Sequence, residues 1–162
     1  MGTLEVIEPR SLRMPQATSS IRGFRSVFVV TGALYILMAS SMLAQGVGVL
    51  RDFAVPEHLL TAPVFEDFFL FFYQLMAFIG VLGVTFGLAV KGRREQVVVA
   101  GVFTVANILI ALRDLSTSDS SWGNQLYQGE ATLMFVAISV TFALAYGALV
   151  LMGVRASSPP QA

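Results

Sequence analysis

The sequence predicts an all-α fold: a polytopic four-helix bundle integral to a membrane, with the N and C termini cytoplasmic. Three observations predict it. The 162 residues are 56% hydrophobic and only 12% charged, against about 25% charged in soluble domains. A chain this short cannot hide so much apolar surface in one globular core. Four proline-free apolar runs are each of a length to cross the hydrocarbon as a helix, which takes roughly 20 residues. The connections between the runs alternate in charge, so that basic residues collect on one side.

The first run, 27–50 (VFVVTGALYILMASSMLAQGVGVL), follows a basic N-terminal segment, 1–26, expected to be a flexible cytoplasmic tail. A cleaved signal peptide is the alternative, prompted by the small residues Ala39, Ser40 and Ser41. The apolar run is too long for one, and the leader before it is also long, so a retained signal-anchor helix is expected. The second run spans 65–90, the third 96–112 and the fourth 131–154, with a short flexible tail at 155–162. Backbone polar groups cannot be left open to lipid, so each run is read as helix. The even alternation of a barrel strand is absent.

The connections carry the orientation. KGRRE, Lys91 to Glu95, is a tight basic turn that predicts an antiparallel hairpin of the second and third helices. RDFAVPEHLLTAP, 51–63, is a longer acidic loop with two prolines. The polar loop 113–130 carries Trp122 and Tyr127, residue types suited to the membrane interface. Arg10, Arg13, Arg22, Arg25, Lys91, Arg93, Arg94 and Arg155 all fall on one side if four helices alternate. The other side holds Arg51 and Arg113 beside seven acids: Asp52, Glu57, Glu66, Asp67, Asp114, Asp119 and Glu130. The positive-inside rule then places both termini in the cytoplasm.

The second run opens as FEDFFLFFYQLMAF, two carboxylates at the mouth of an aromatic segment. At 100° per residue, Glu66, Asp67, Leu70, Tyr73, Gln74, Ala77 and Gly80 share one side, and Phe68, Phe72, Leu75, Ile79, Leu82 and Phe86 the other. Polar groups are costly in hydrocarbon, so Tyr73 and Gln74 are expected to face the bundle. The bulky face, with Phe68, Phe72, Ile79 and Phe86, is expected to meet lipid or a partner subunit. Glu66 and Asp67 sit in the first turn, where carboxylates complement the helix dipole; a proton site is the alternative. Ser40, Ala44 and Gly48, then Gly83 and Gly87, then Ser139, Ala143 and Gly147, recur at the four-residue spacing that lets membrane helices pack closely. Asn107 is the most polar residue deep in the third run, and a hydrogen bond to Gln45, Gln74 or Tyr73 would satisfy it. It reads either as packing glue or as a ligand contact.

The absences narrow the function. The chain has no cysteine and a single histidine, His58. Disulfides, iron–sulfur clusters, thiolate zinc sites and thiol redox chemistry are thereby excluded, and so is a bis-histidine haem held by this chain alone. No His/Glu cluster on a helix would hold a metal, so no metal site is expected. A formal net charge of zero provides no basic field for nucleic acid. No phosphate loop, dinucleotide fingerprint or nucleophile elbow occurs, so no catalytic residue is assigned. No charge lies in the middle of a run, and no run is broken by proline, which weighs against pumps, proton relays and transporters.

The most site-like cluster is at the non-cytoplasmic surface, where Arg51, Asp52, His58, Glu66 and Asp67 would gather with Arg113, Asp114 and Glu130. It reads either as a solvated rim of loosely paired charges or as a polar mouth over Tyr73, Gln74, Asn107 and Gln45. The mouth would suit a quinone or a lipid, with its head at the rim and its tail between helices. His58 would then be placed to switch or donate a proton near neutral pH.

In size and topology the chain resembles the DoxX-like group of small four-helix bacterial membrane proteins. The likeness lies in cytoplasmic termini, the basic turn KGRRE between helices two and three, and spans rich in Gly, Ala and Phe. It covers the helical region 27–154. The resemblance implies an association with membrane redox systems and with subunits of quinone-linked oxidoreductases in the bacterial inner membrane. It transfers no catalytic residue. Two functions are therefore expected, in this order. One is a non-catalytic accessory or scaffold subunit, partnered by the lipid bilayer and by other membrane subunits or its own copies. The other is a small redox-associated protein holding a quinone or lipid between its helices.

Overall fold

The computed structural model describes residues 20–53, 55–118 and 130–156. Within these residues the chain is helical and contains no strand. The elements in order are α1 (Phe24–Gln45), a 3₁₀ segment (Val47–Phe53), α2 (Glu57–Leu60), α3 (Pro63–Ala89), α4 (Arg93–Ser118) and α5 (Glu130–Arg155). Four of them, α1, α3, α4 and α5, are long and apolar enough to cross a membrane. Trp122, Tyr127 and Asp119 lie outside the described residues, as do Arg10, Arg13 and the segment 157–162.

The first span sits earlier than the hydropathy run suggests. Gly46 ends α1 with φ +70, a left-handed backbone that favours glycine, and its N–H bonds the Met42 carbonyl. The remaining apolar residues turn back as the 3₁₀ segment, whose Leu50 is buried. At the other end, residues 20–26 belong to the fold and not to a tail. Ile21 and Phe24 are core residues, and the buried Gln96 fastens this entry. Gln96 Oε1 accepts from the Ile21 N–H at 2.7 Å, while its amide donates to Ser20 Oγ and to the Val90 carbonyl, both at 3.0 Å. The 22 residues of α1 cover about 33 Å, a match to the hydrocarbon thickness.

α3 begins on Pro63 at its first turn, where the missing N–H costs nothing. It packs along α1 through glycines. Gly80, Gly83 and Gly87 are all buried, and a Cβ on Gly87 would meet Phe28 Cβ at 2.9 Å. α4 packs along α5, with Ala100 and Ala111 buried on one helix and Ser139 and Ala143 on the other. Of the expected small-residue stripes, those on α3 and α5 face inward. Ser40 and Ala44 of α1 are exposed instead; Gly32 makes the α1 contact in their place.

The bundle is thus two tight pairs, α1–α3 and α4–α5. The turn after α3 is short, as read from KGRRE, but the two helices that it joins pack on other partners rather than on each other. An aromatic cluster closes the pairs together at the end near the termini. Phe28 lies 5.1 Å from Phe103 and 4.8 Å from Tyr146 between ring centroids, and the Thr31 and Tyr146 hydroxyls share a hydrogen bond. A second core fills the opposite end, where Leu50, Val55 and Leu60 of the connection pack on Ala39, Phe69 and Tyr73. Between these two cores the pairs part around a gap, bridged by Tyr35, which bonds Asn107 and packs on Phe142.

Candidate functional site: a cleft between two helix pairs

The gap between the pairs is a cleft of about 820 Å³. α1 and α3 form one wall, α4 and α5 the other. Most of the lining is apolar: Met38, Met42, Met76, Ile79, Leu82, Phe86, Phe103, Ile110, Phe135 and Ile138. The cleft is open at its sides, where residues at its margins are themselves exposed. Leu75 and Val102 are 43% and 62% exposed on the α3/α4 side, Leu37 and Met134 66% and 42% on the α1/α5 side.

Apart from Ser41, whose hydroxyl accepts from Gln45, two polar stations interrupt the lining. The first lies at mid-depth. Tyr35 donates its hydroxyl to Asn107 Oδ1 at 2.8 Å, and Asn107 Nδ2 donates to the Phe103 carbonyl at 2.8 Å. Both side chains line the cleft, as does Ser139 on α5. The second station lies at the end away from the termini. Arg113 reaches over the Phe72 ring, 5.6 Å from its centroid, and its Nη1 lies 3.4 Å from Asp114 Oδ1. Asp114 is buried. α4 runs on to Ser118 instead of stopping near 112, which carries this pair onto the helix and into the cleft wall.

Of the residues expected to form a site, the structure brings Tyr73 and Asn107 to the cleft. Gln74 is exposed and does not line it. The stripe that faces α1 runs through Phe69, Tyr73, Gly80, Gly83 and Gly87. Glycine docking on α1 therefore turns α3 by roughly a quarter turn from the polarity-based orientation, and Gln74 swings outward. The same rotation corrects the bulky face. Phe72, Ile79 and Phe86 line the cleft, while Phe68 is 49% exposed and stacks on Phe72 at 6.3 Å.

Gln45 is likewise not a partner of Asn107; it is exposed and bonds back to the Ser41 carbonyl and hydroxyl of its own helix. His58, Glu66 and Asp67 are exposed and take no part in the cleft. On the polar surface above it, Arg51 and Glu57 form an exposed ion pair. Arg51 Nη2 and Nε donate to Glu57 Oε1 at 2.7 Å and Oε2 at 3.0 Å. These hydrogen bonds hold the Glu57 carboxyl below the usual carboxylate range.

Tyr35 and the hydroxyl of Ser139 are the site residues that sequence reasoning passes over. Tyr35 carried a usable signal, as a polar-tipped ring ten residues from the end of α1. Ser139 carried none, because small residues on membrane helices ordinarily serve packing.

Searches for a matching protein family, for similar curated proteins and for similar solved structures find none.

Proposed function

We propose that this is a membrane-embedded binding protein for an amphipathic lipophile, a quinone or a lipid, held between its two helix pairs. The cleft carries the reading. Its volume of about 820 Å³ falls among small-molecule pockets, which run to about 300–1,000 Å³. An apolar lining with a few convergent polar groups is the pattern of a ligand site. Lateral openings suit a ligand that arrives through the bilayer. The resemblance to DoxX-like proteins, with their link to quinone-dependent oxidoreductases, supports a quinone as occupant. The reading assigns no reaction to the chain.

The same proposal orients the protein in a bacterial inner membrane with both termini cytoplasmic. Among the described residues, Arg22, Arg25, Lys91, Arg93, Arg94 and Arg155 stand at the end that holds the termini, with Glu95 as the acid there. Arg51 and Arg113 stand at the other end among six acids, Asp52, Glu57, Glu66, Asp67, Asp114 and Glu130.

Extraction in mild detergent, followed by mass spectrometry of everything that co-purifies, tests this reading. About one quinone or defined lipid per chain supports it. A protein that purifies empty counts against it.

A second reading, an accessory or scaffold subunit, draws on a different face. Phe68, Phe71, Leu75 and Phe78 form an outward stripe on α3, with Phe71 and Phe78 62% and 57% exposed. Aromatic anchors of this kind suit a subunit contact. Stoichiometric larger subunits in the same extraction, released by Phe71→Ala with Phe78→Ala, are the result this reading expects.

A further inference from the structure

Ser139 is 6% exposed and lines the cleft. Four threonines on the long helices satisfy themselves within their own helix. Thr31, Thr85, Thr104 and Thr141 each donate to the carbonyl four residues back, at 2.7 to 2.9 Å. The Ser139 hydroxyl makes no such bond and has no hydrogen-bond partner among the described residues. The residue is buried but its hydroxyl stays accessible from the cleft, and a hydroxyl facing an apolar cleft costs free energy unless something there meets it.

Its neighbours in depth make it part of a station. Ser139 lies nine residues into α5, Asn107 eleven residues before the end of α4, and Tyr35 ten before the end of α1. At about 1.5 Å per residue, all three sit roughly 14–16 Å below that surface, near mid-bilayer. The Tyr35 proton is taken by Asn107, and one Asn107 N–H by Phe103. The remaining donors are the second N–H of Asn107 and the O–H of Ser139. Tyr35, Asn107 and Ser139 are all uncharged, and a lone anion at this depth would be very costly. The nearest cation in the lining, Arg113, is six residues further along α4, about 9 Å away along the axis.

We infer that the station of Tyr35, Asn107 and Ser139 receives a neutral carbonyl oxygen of the bound lipophile, placing the ligand's polar group at mid-bilayer and not at the rim. The inference rests on the cleft being the binding site. It separates the ligand's recognition from the Arg113–Asp114 pair in the cleft wall at the end away from the termini.

Two probes that differ only in one group test it on the purified full-length protein: decyl phenyl ketone and undecylbenzene, the second with CH₂ in place of C=O. Binding is read by equilibrium titration, and the ketone's carbonyl stretch by infrared spectroscopy. The wild type is expected to bind the ketone more tightly and to shift its stretch to lower frequency. Ser139→Ala removes no bond within the protein, so its melting temperature should be unchanged. It is expected to weaken ketone binding about five-fold, as loss of one hydrogen bond does, to reduce the frequency shift, and to leave undecylbenzene untouched. Equal binding of the two probes by the wild type overturns the inference while the cleft site stands. So does a Ser139→Ala protein that binds and shifts the ketone as the wild type does. Failure of the wild type to bind either probe overturns the cleft site and the inference with it.

Discussion

Gly32 of α1 and Gly80 of α3 meet backbone to backbone where the two helices cross. A Cβ on Gly32 would stand 2.6 Å from the Gly80 carbonyl oxygen, and one on Gly80 would stand 2.7 Å from that of Gly32. Backbone atoms cannot rotate away as a side-chain tip can, so any larger residue must push the helices apart. Gly32→Ala or Gly80→Ala is expected to destabilise the folded state by about 2 kcal/mol, the usual cost of overpacking. Gly101, with open space where its Cβ would be, is the control: Gly101→Ala should be neutral or slightly stabilising, since alanine is the better helix former. Unfolding in mixed micelles, followed by far-UV circular dichroism, measures all three.

That crossing also shows what could be read in advance. Helix number, approximate spans and the glycine stripe on α3 were legible, because hydropathy and small-residue spacing report directly on lipid exposure and close packing. The rotation of α3 was not. Polarity favoured turning Gln74 inward, while the steric match of Gly80 to Gly32 turned it outward. Pairwise shape complementarity between distant segments leaves no mark on the periodicity of either one. The length of α4 was missed for a related reason: Arg113 and Asp114 look like loop residues by hydropathy, yet they continue the helix into the cleft wall. The cleft itself follows from pairing α1 with α3 and α4 with α5, which no single segment encodes.

The Tyr35–Asn107 hydrogen bond joins the two pairs across the cleft. Asn107→Leu should destabilise the protein, because it strands the Tyr35 hydroxyl in an apolar wall. Tyr35→Phe should cost a similar amount, since it deprives Asn107 Oδ1 of its donor. The double substitution should cost less than the two summed. A coupling of about 0.6–1.7 kcal/mol is expected from membrane hydrogen bonds measured in the same way. A coupling of zero would mean that the two side chains do not depend on each other.

Glu57 offers a test in pH. Its carboxyl is held below the ordinary range by hydrogen bonds from Arg51. An unfolded glutamate titrates at about 4.3. The pair's contribution to loop stability is therefore fully present above that value and is lost as pH falls through the lowered one. Carbon-13 NMR of the Glu57 carboxyl should show a midpoint below the ordinary value, and Arg51→Gln should bring it back up. Because both side chains are exposed, the effect should shrink in high salt.

Orientation can be settled with single thiols, since the chain has no cysteine of its own. His58→Cys and Arg94→Cys place thiols on exposed positions at opposite ends of the bundle. An impermeant maleimide added to intact cells should label the first and spare the second until the membrane is opened. The reverse pattern would put both termini outside and overturn the charge-based assignment.

Occupancy of the cleft is tested by filling it. Ala106 lies on the α4 wall, one residue from Asn107, and is exposed to the open gap. Ala106→Phe adds a ring at an exposed position of the cleft wall, away from the buried Ala100 and Ala111 of the same helix, so it should not overpack the α4–α5 seam. The helical content and melting temperature should stay close to those of the wild type. The amount of lipophile that co-purifies should fall several-fold, because the added ring competes for the volume beside the Tyr35 and Asn107 station. Ala106→Ser, which adds one atom, should retain the ligand. If the phenylalanine variant carries a full complement of ligand, the lipophile is bound elsewhere, and the outward stripe of Phe68, Phe71 and Phe78 becomes the face to examine.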